Sequence, residues 1–169
     1  MRDKITWLKQ QAEQELSKIL DYWALYAVDN KNGGFVGRID EDNIVDEQAA
    51  KGSVLNARIL WSFSSAYNYN KNDAHLALAT RAYEYFAAHF VDEQNGGVYW
   101  TVSYSGEPRE GKKQIYACAF AIYALSEYYI ASRHQPAKDL ATGIFKSIVE
   151  HAHDPAHGGF YEAFSIDWQ

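Results

Sequence analysis

The sequence predicts an all-α fold, an incomplete α/α toroid of about five helices in which inner helices are ringed by outer ones. Three observations support this: amphipathic and apolar helical segments alternate, a glycine-pair loop follows each amphipathic segment, and these loops recur at a nearly constant spacing. The second glycines of the loops are Gly34, Gly97 and Gly159, which are 63 and 62 residues apart. Self-similarity at a fixed period is the mark of a repeat architecture.

The amphipathic segments are the predicted outer helices. Apolar residues from Ile5 to Trp23 fall on one stripe of the first, opposite lysine, glutamine and glutamate. The third segment begins with Asn72 or Asp73 as its cap, and the fifth carries Pro136 in its first turn. In chain order, the five helices are predicted at about 3–27, 51–69, 73–90, 113–132 and 136–151.

The second and fourth segments are apolar nearly all round, which predicts inner helices buried on every side. Closing a ring takes more than two inner helices, so we expect residues 1–169 to be the N-terminal part of one larger barrel domain. The alternative is an open helical-repeat scaffold, whose end repeats should be polar caps. The tail at 160–169 is too apolar for such a cap.

Each glycine-pair loop, here called a rim loop, comes directly after an outer helix. Glycine adopts left-handed backbone readily, so each pair is expected to end its outer helix. The short alternating runs Phe35–Ile39 and Val98–Tyr104 are expected to form small β-hairpins.

Composition restricts the compartment and the partners. The net charge is −6 and no basic stripe is visible, so a nucleic-acid partner is not expected. The single cysteine, Cys118, excludes an internal disulfide framework and is expected to pack as a small apolar side chain. No apolar run approaches the roughly 20 residues that span a bilayer, and no signal-peptide core follows Met1. We therefore expect a cytoplasmic protein without a membrane partner.

Arg58 is the most unusual charged residue, because its helical neighbours are mostly apolar. A guanidinium buried on a helix is costly unless it has a partner. It either pairs with a carboxylate such as Asp46 or Glu47, or faces the hollow of the toroid as a clamp for an anion or oxyanion. Tyr116, on the other inner helix, is either a packed ring or a pocket hydroxyl.

Two further groups of polar residues have an ordinary interpretation. Lys51 and Lys113 begin the inner helices and are expected to be exposed and solvated. His151, His153 and His157 lie close enough for a metal site, but Pro155 interrupts them, so helix-end polar residues are the better account. No nucleotide-binding or zinc-protease motif appears, and no cofactor is expected.

Two inner-helix motifs carry a family resemblance. Residues 51–61 read Lys-Gly-Ser-Val-Leu-Asn-Ala-Arg-Ile-Leu-Trp. The second motif runs from Tyr116 to Tyr129, and its core at 119–129 reads Ala-Phe-Ala-Ile-Tyr-Ala-Leu-Ser-Glu-Tyr-Tyr. Both resemble the N-acylglucosamine 2-epimerase superfamily, and within it the cellobiose 2-epimerases most closely. The rim loops match as well, so the resemblance extends over essentially the whole chain.

The resemblance implies an (α/α)6 barrel and an isomerase that inverts C2 of a reducing-end aldose such as cellobiose. In that family one histidine removes the C2 proton, a cis-enediolate forms, and a second histidine returns the proton to the opposite face. No metal or nucleotide is a reactant. Arg58 would stabilise the enediolate, and Tyr116 would contact the sugar.

None of the six histidines matches the family's catalytic positions, so the chain alone is expected to be inactive and to self-associate through its open edge. Two other functions stay open. An α/α-barrel glycoside hydrolase would need a carboxylate pair, with Asp46 or Glu47 opposite Glu107 or Glu110 as candidates. A non-enzymatic helical-repeat module would bind a partner instead of a small sugar.

Overall fold

The computed structural model describes residues 2–169 and confirms the five helices, each end lying within two residues of its predicted position. None of the helices in this range has the length and apolar character that crossing a bilayer requires. In chain order the helices are α1 Arg2–Tyr26, α2 Ser53–Asn70, α3 Asp73–His89, α4 Ile115–Ser132 and α5 Gln135–Ala152.

Short strands connect successive repeats at the rim. They form an antiparallel sheet in the order β1–β2–β3 and a separate antiparallel pair, β4–β5. The strand that leads into each inner helix therefore pairs with the rim segment of the next repeat. The strands are β1 Lys51–Gly52, β2 Thr101–Val102, β3 Pro108–Glu110, β4 Lys113–Gln114 and β5 Ala163–Phe164.

The predicted hairpins are only partly present. The second run contributes β2, which forms a hairpin with β3. The first run, Phe35–Ile39, makes only the isolated bridges Val28↔Phe35 and Ile39↔Val45. The pairing between repeats involves residues that are distant in sequence, so alternation within one run could not predict it.

The glycine pairs have the expected backbone but not the expected position. Gly33 and Gly34 have φ of 80° and 61°, in the left-handed region. However, α1 already ends at Tyr26, so the pair reverses the chain inside the rim loop and does not cap the helix. The physical reason is that an aspartate turn stands between the helix end and the glycines.

The inner helices α2 and α4 lie side by side, α3 packs outside them and α5 packs against α4. Fully buried alanines, among them Ala57, Ala121 and Ala124, allow these helices to approach closely. Cys118 is buried in the same core as expected, and burial raises the pKa of its thiol. The core is therefore centred on the two inner helices.

The expectation that α2 and α4 are buried on every side is wrong. Each helix has an exposed stripe, which on α4 includes Tyr116, Tyr123 and Ile130 with 51–53% exposure. No described element covers this side. The outer flanks are open too: Leu8 on α1 and Phe145 on α5 are 56% and 54% exposed. The fold is thus an arc of a ring with uncovered apolar ends.

Candidate functional site

Exposed and half-buried residues of α2 and α4 form one surface, here called the inner face. Its members are Arg58, Trp61, Tyr116, Phe120 and Tyr123. Within each helix these residues are three, four or seven positions apart, so they lie on the same side of that helix. The Trp61 and Tyr123 rings stack across the two helices with centroids 5.1 Å apart and planes 17° apart. The inner face therefore has an aromatic centre flanked by one guanidinium.

The Arg58 guanidinium is exposed, and among residues 2–169 it has no hydrogen bond or ion pair. The expected carboxylate partners are engaged elsewhere. Glu47 forms an ion pair with Lys31 at 2.5 Å, and Asp46 accepts a hydrogen bond from the Gln48 backbone N–H at 3.0 Å. Arg58 is therefore exposed, and the ion-pair alternative is wrong, because both candidate carboxylates are engaged elsewhere.

Arg58 lies at a cavity of about 240 Å³ between α1 and α2. Its apolar wall includes Ile19, Trp23 and Leu55, and Ser62 adds a hydroxyl. A guanidinium offers five N–H donors and is always protonated. At this position it can bind an anion or the oxygens of a polar ligand without first breaking a protein contact.

Tyr116 is 53% exposed, so it is not a ring packed into the core. Its ring contacts Phe120 edge to face, with centroids 4.9 Å apart. The hydroxyl has no protein partner among the described residues and can bind a ligand. No contact joins Tyr116 to Arg58 directly; the Trp61–Tyr123 stack lies on the same face.

The expectation that Lys51 and Lys113 are solvated is wrong. Lys51 is 1% exposed, and its ammonium donates to the Asp29 carboxylate and to the Gly33 carbonyl, both at 2.8 Å. Lys113 is fully buried and donates to the Asp92 carboxylate at 2.6 Å. Each lysine thus ties the start of an inner helix to the preceding rim loop.

In the rim loops, backbone N–H groups bind one oxygen of the aspartate carboxylate and leave the other oxygen for a side-chain donor. In the first loop, Asp29 Oδ1 accepts the backbone N–H groups of Lys31 and Asn32 at 2.9 and 2.8 Å. Oδ2 is left for the lysine and for the Asn32 amide. Burial alone would raise the pKa of Asp29, but the hydrogen bonds from Lys51 and from the two backbone groups outweigh it and lower that pKa.

The pKa of Asp92 is lowered by the same balance. Burial acts to raise it, and hydrogen bonds from Lys113 and Asn95 act more strongly in the opposite direction. Both aspartates are therefore ionised at neutral pH, and their charge is matched by a buried ammonium.

Comparison with known proteins identifies the family of this chain. Residues 10–169 match the N-acylglucosamine 2-epimerase (GlcNAc 2-epimerase) family. The chain belongs to this family. A cellobiose 2-epimerase from Bacteroides fragilis is 44% identical over 162 residues, which cover 95% of this chain and 41% of that protein. One from Eubacterium cellulosolvens is 40% identical over 157 residues, covering 93% and 38%.

Solved structures agree with this family assignment. A cellobiose 2-epimerase from Spirochaeta thermophila has a TM-score of 0.88 and 37% identity, covering 95% of this chain and 41% of that one. A mannose isomerase with a TM-score of 0.86 but 21% identity shows the fold alone, as do family 76 glycoside hydrolases at 20% identity or less. The cellobiose 2-epimerases are (α/α)6 barrels, so the predicted toroid is confirmed. The chain spans about two fifths of the length of these relatives.

The three clustered histidines of this epimerase-family chain have separate local roles. His157 replaces the loop asparagine and contacts Asp154 Oδ2 through Nδ1 at 3.1 Å. His151 stacks on Trp168 with centroids 4.8 Å apart, and His153 contacts Phe160 edge to face. These contacts agree with the expectation that the three histidines are polar residues at the end of α5.

Sequence reasoning missed the aromatic centre of the inner face, although a signal was available. Trp61 lies three residues after Arg58, and Tyr123 lies seven after Tyr116, so each shares a helix side with a candidate. It also missed the lysine–aspartate pairs. Lys51 follows Asp29 by 22 residues, and Lys113 follows Asp92 by 21, a recurrence that could have paired them.

Proposed function

We propose that this chain is part of a carbohydrate 2-epimerase that inverts C2 of a reducing-end aldose such as cellobiose, and that it contributes the side of the active site that carries Arg58. The observation that carries the proposal is the unpartnered guanidinium on an aromatic inner face. Family membership and 44% identity to a cellobiose 2-epimerase support this substrate class.

The chemistry depends on the charge that develops during epimerisation. Removing the C2 proton of an open-chain aldose gives an enediolate, whose negative oxygen needs a nearby cation or hydrogen-bond donors. Arg58 supplies both, in the role of an oxyanion clamp. Tyr116 offers its hydroxyl to the sugar, and the Trp61 and Tyr123 rings offer a flat surface to its C–H face.

Proton transfer needs a base and an acid that this inner face does not supply. Within residues 2–169, no histidine lies on it: His75 and His89 lie on α3, His134 precedes α5, and the remaining three lie at or after the end of α5. We therefore propose that the catalytic histidines belong to a part of the barrel outside these 169 residues. The proposal includes a cytoplasmic location and needs no bound metal or nucleotide.

The first experiment assays the purified 169-residue chain with cellobiose, mannose and N-acetylmannosamine. We expect no C2 epimer and no solvent deuterium at C2. Turnover that co-purifies with the chain would contradict the assignment of the histidines to another part of the barrel.

The second experiment tests Arg58 where activity is expected, in a complex with the C-terminal part of the Bacteroides fragilis enzyme. Arg58→Ala should lower kcat by 100-fold or more, as losing an oxyanion donor does elsewhere. Arg58→Lys should restore part of the rate, because the charge is kept while the paired donors are lost. Unchanged kcat in Arg58→Ala would contradict the proposed clamp.

The glycoside hydrolase alternative has less support. Two of its candidate carboxylates, Glu47 and Glu110, are exposed and form surface ion pairs with Lys31 and Lys112. The products distinguish an epimerase from a glycoside hydrolase, because epimerisation preserves the mass of a disaccharide and hydrolysis releases monosaccharides. A non-enzymatic repeat module would instead bind no small sugar.

A further inference from the structure

The three rim loops have the same internal geometry. In the third loop, Asp154 Oδ1 accepts the backbone N–H groups of Ala156 and His157 at 2.9 and 3.1 Å, as Asp29 does in the first. The Asp154 N–H donates to the Gly159 carbonyl at 3.0 Å, as in the other two loops. The third loop thus presents its carboxylate in the same way as the first two.

The loops differ in what covers them. Arg81 on α3 donates to the Gly34 carbonyl at 2.9 Å, and the Tyr85 ring lies against Gly34. Trp168 covers the second loop and donates to the Asn95 carbonyl at 2.7 Å. Each of these loops is therefore covered by residues of the following repeat.

Among residues 2–169, nothing covers the third loop in this way. A Cβ added at Gly158 or Gly159 would meet nothing within 4 Å. Asp154 is 9% exposed, and no lysine or arginine among residues 2–169 pairs with it; Oδ2 contacts only Nδ1 of His157 within 3.5 Å, and that side chain is 85% exposed, whereas Asp29 and Asp92 hold buried lysines. The pKa of Asp154 is lowered by its backbone hydrogen bonds, so the carboxylate is charged, and none of the described residues places a buried cation beside it.

An apolar groove lies beside this loop's repeat. It runs between α4 and α5, has a volume of about 410 Å³, and is lined by Ile122, Ile130 and Phe145 among others. The last two are 51% and 54% exposed. A helix packed there would neighbour α4 as α4 neighbours α2.

We propose that the Asp154 loop and the α4–α5 groove together bind the next inner-helix segment of an epimerase barrel, and that Asp154 binds a lysine ammonium where that helix begins. Asp154 has a negative charge without a matching cation in the described part of the chain, whereas Asp29 and Asp92 each pair with a lysine. The expected partner of Asp154 is therefore also a lysine. The relatives are more than twice as long as this chain, so they contain polypeptide beyond the matched region. The inference rests on the repeat geometry and on family membership, not on the Arg58 chemistry.

The test is a two-polypeptide complex. The 169-residue chain is co-expressed with the tagged part of the Bacteroides fragilis cellobiose 2-epimerase that lies C-terminal to the region aligned with it, and the dissociation constant is measured after separation and remixing. We expect a stable complex. Asp154→Asn should raise the dissociation constant at least tenfold, because it leaves a buried lysine without its charge partner. Asp139→Asn, an exposed aspartate on α5, is the matched control and should have no effect.

A double-mutant cycle identifies the lysine. The lysine that directly precedes the first apolar helix of the partner polypeptide is changed to methionine, alone and together with Asp154→Asn. The two changes should not add, since both remove the same pair. Failure to form a complex, an effect of Asp154→Asn no larger than that of Asp139→Asn, or additive changes would each overturn the proposal. A complex that forms but does not epimerise cellobiose would leave the docking intact and contradict the proposed function.

Discussion

Lys51 and Lys113 are buried in matched pairs whereas Arg58 is exposed, and the difference depends on which residues lie opposite each of them. Lys51 and Lys113 lie opposite aspartates whose other oxygen is already bound by backbone N–H groups. Arg58 lies at the cavity between α1 and α2 and has no charged partner among the described residues. The first two stabilise the rim, and the third is available to a ligand.

The Lys51–Asp29 pair gives a stability prediction. Lys51→Met should lower the free energy of unfolding by about 3–5 kcal/mol, because it leaves the Asp29 carboxylate buried without a cation. Lys31→Met, which breaks an exposed ion pair with Glu47, should cost no more than about 1 kcal/mol. Urea unfolding followed by circular dichroism measures both. Equal losses in the two variants would contradict the structural role of the buried pair.

The same pairs give a pH dependence. The pKa values of Asp29 and Asp92 are lower in the folded protein than in the unfolded chain, so folding favours their ionised form. Their stabilisation is complete above the unfolded carboxyl pKa of about 3.9 and is lost as the pH falls through the lower folded values. Unfolding curves between pH 7 and pH 2 should show a steep loss below about pH 4. The loss should be shallower in the double variant Asp29→Asn, Asp92→Asn, and an identical slope would contradict the assignment.

At the scale of elements, the rim loops and the inner helices depend on one another. An inner helix begins at a strand that pairs with the next repeat, and its first lysine holds the previous rim loop. The loop backbone must therefore come very close to neighbouring side chains, which only glycine permits at some positions.

Gly34 and Gly143 form a matched pair for this argument. Gly34 has φ of 61°, and a Cβ there would lie 2.5 Å from the Tyr85 ring, so Gly34→Ala should destabilise by about 2 kcal/mol or more. Gly143 lies inside α5 with open space around it, so Gly143→Ala should stabilise by about 0.5–1 kcal/mol. Thermal unfolding measures both, and a stabilising Gly34→Ala would show that the rim does not pack as described.

At the scale of the whole molecule, the arc leaves apolar surface at both ends. Ile5, Trp7 and Leu8 on α1 and Phe145 on α5 are all more than half exposed. Exposed apolar patches of this kind favour association.

We expect the isolated chain to self-associate in a concentration-dependent way. The variant Phe145→Lys with Ile130→Lys should shift sedimentation velocity profiles toward monomer, because it places charges on the α4–α5 groove. Lys146→Ala, an exposed change on the same helix, is the control. A wild-type chain that stays monomeric at all concentrations would contradict this prediction.

The sequence by itself determined the helices, the repeat and the family, because hydrophobic periodicity, glycine spacing and the inner-helix motifs are properties local to each segment. Only the tertiary structure decided which charges are buried. The sequence predicts solvated lysines and leaves Arg58 open between an ion pair and a clamp facing the hollow, because burial depends on which residues of distant repeats lie opposite. Lys51 and Lys113 are buried against aspartates of the preceding rim loops, whereas no described carboxylate pairs with Arg58, which stays exposed.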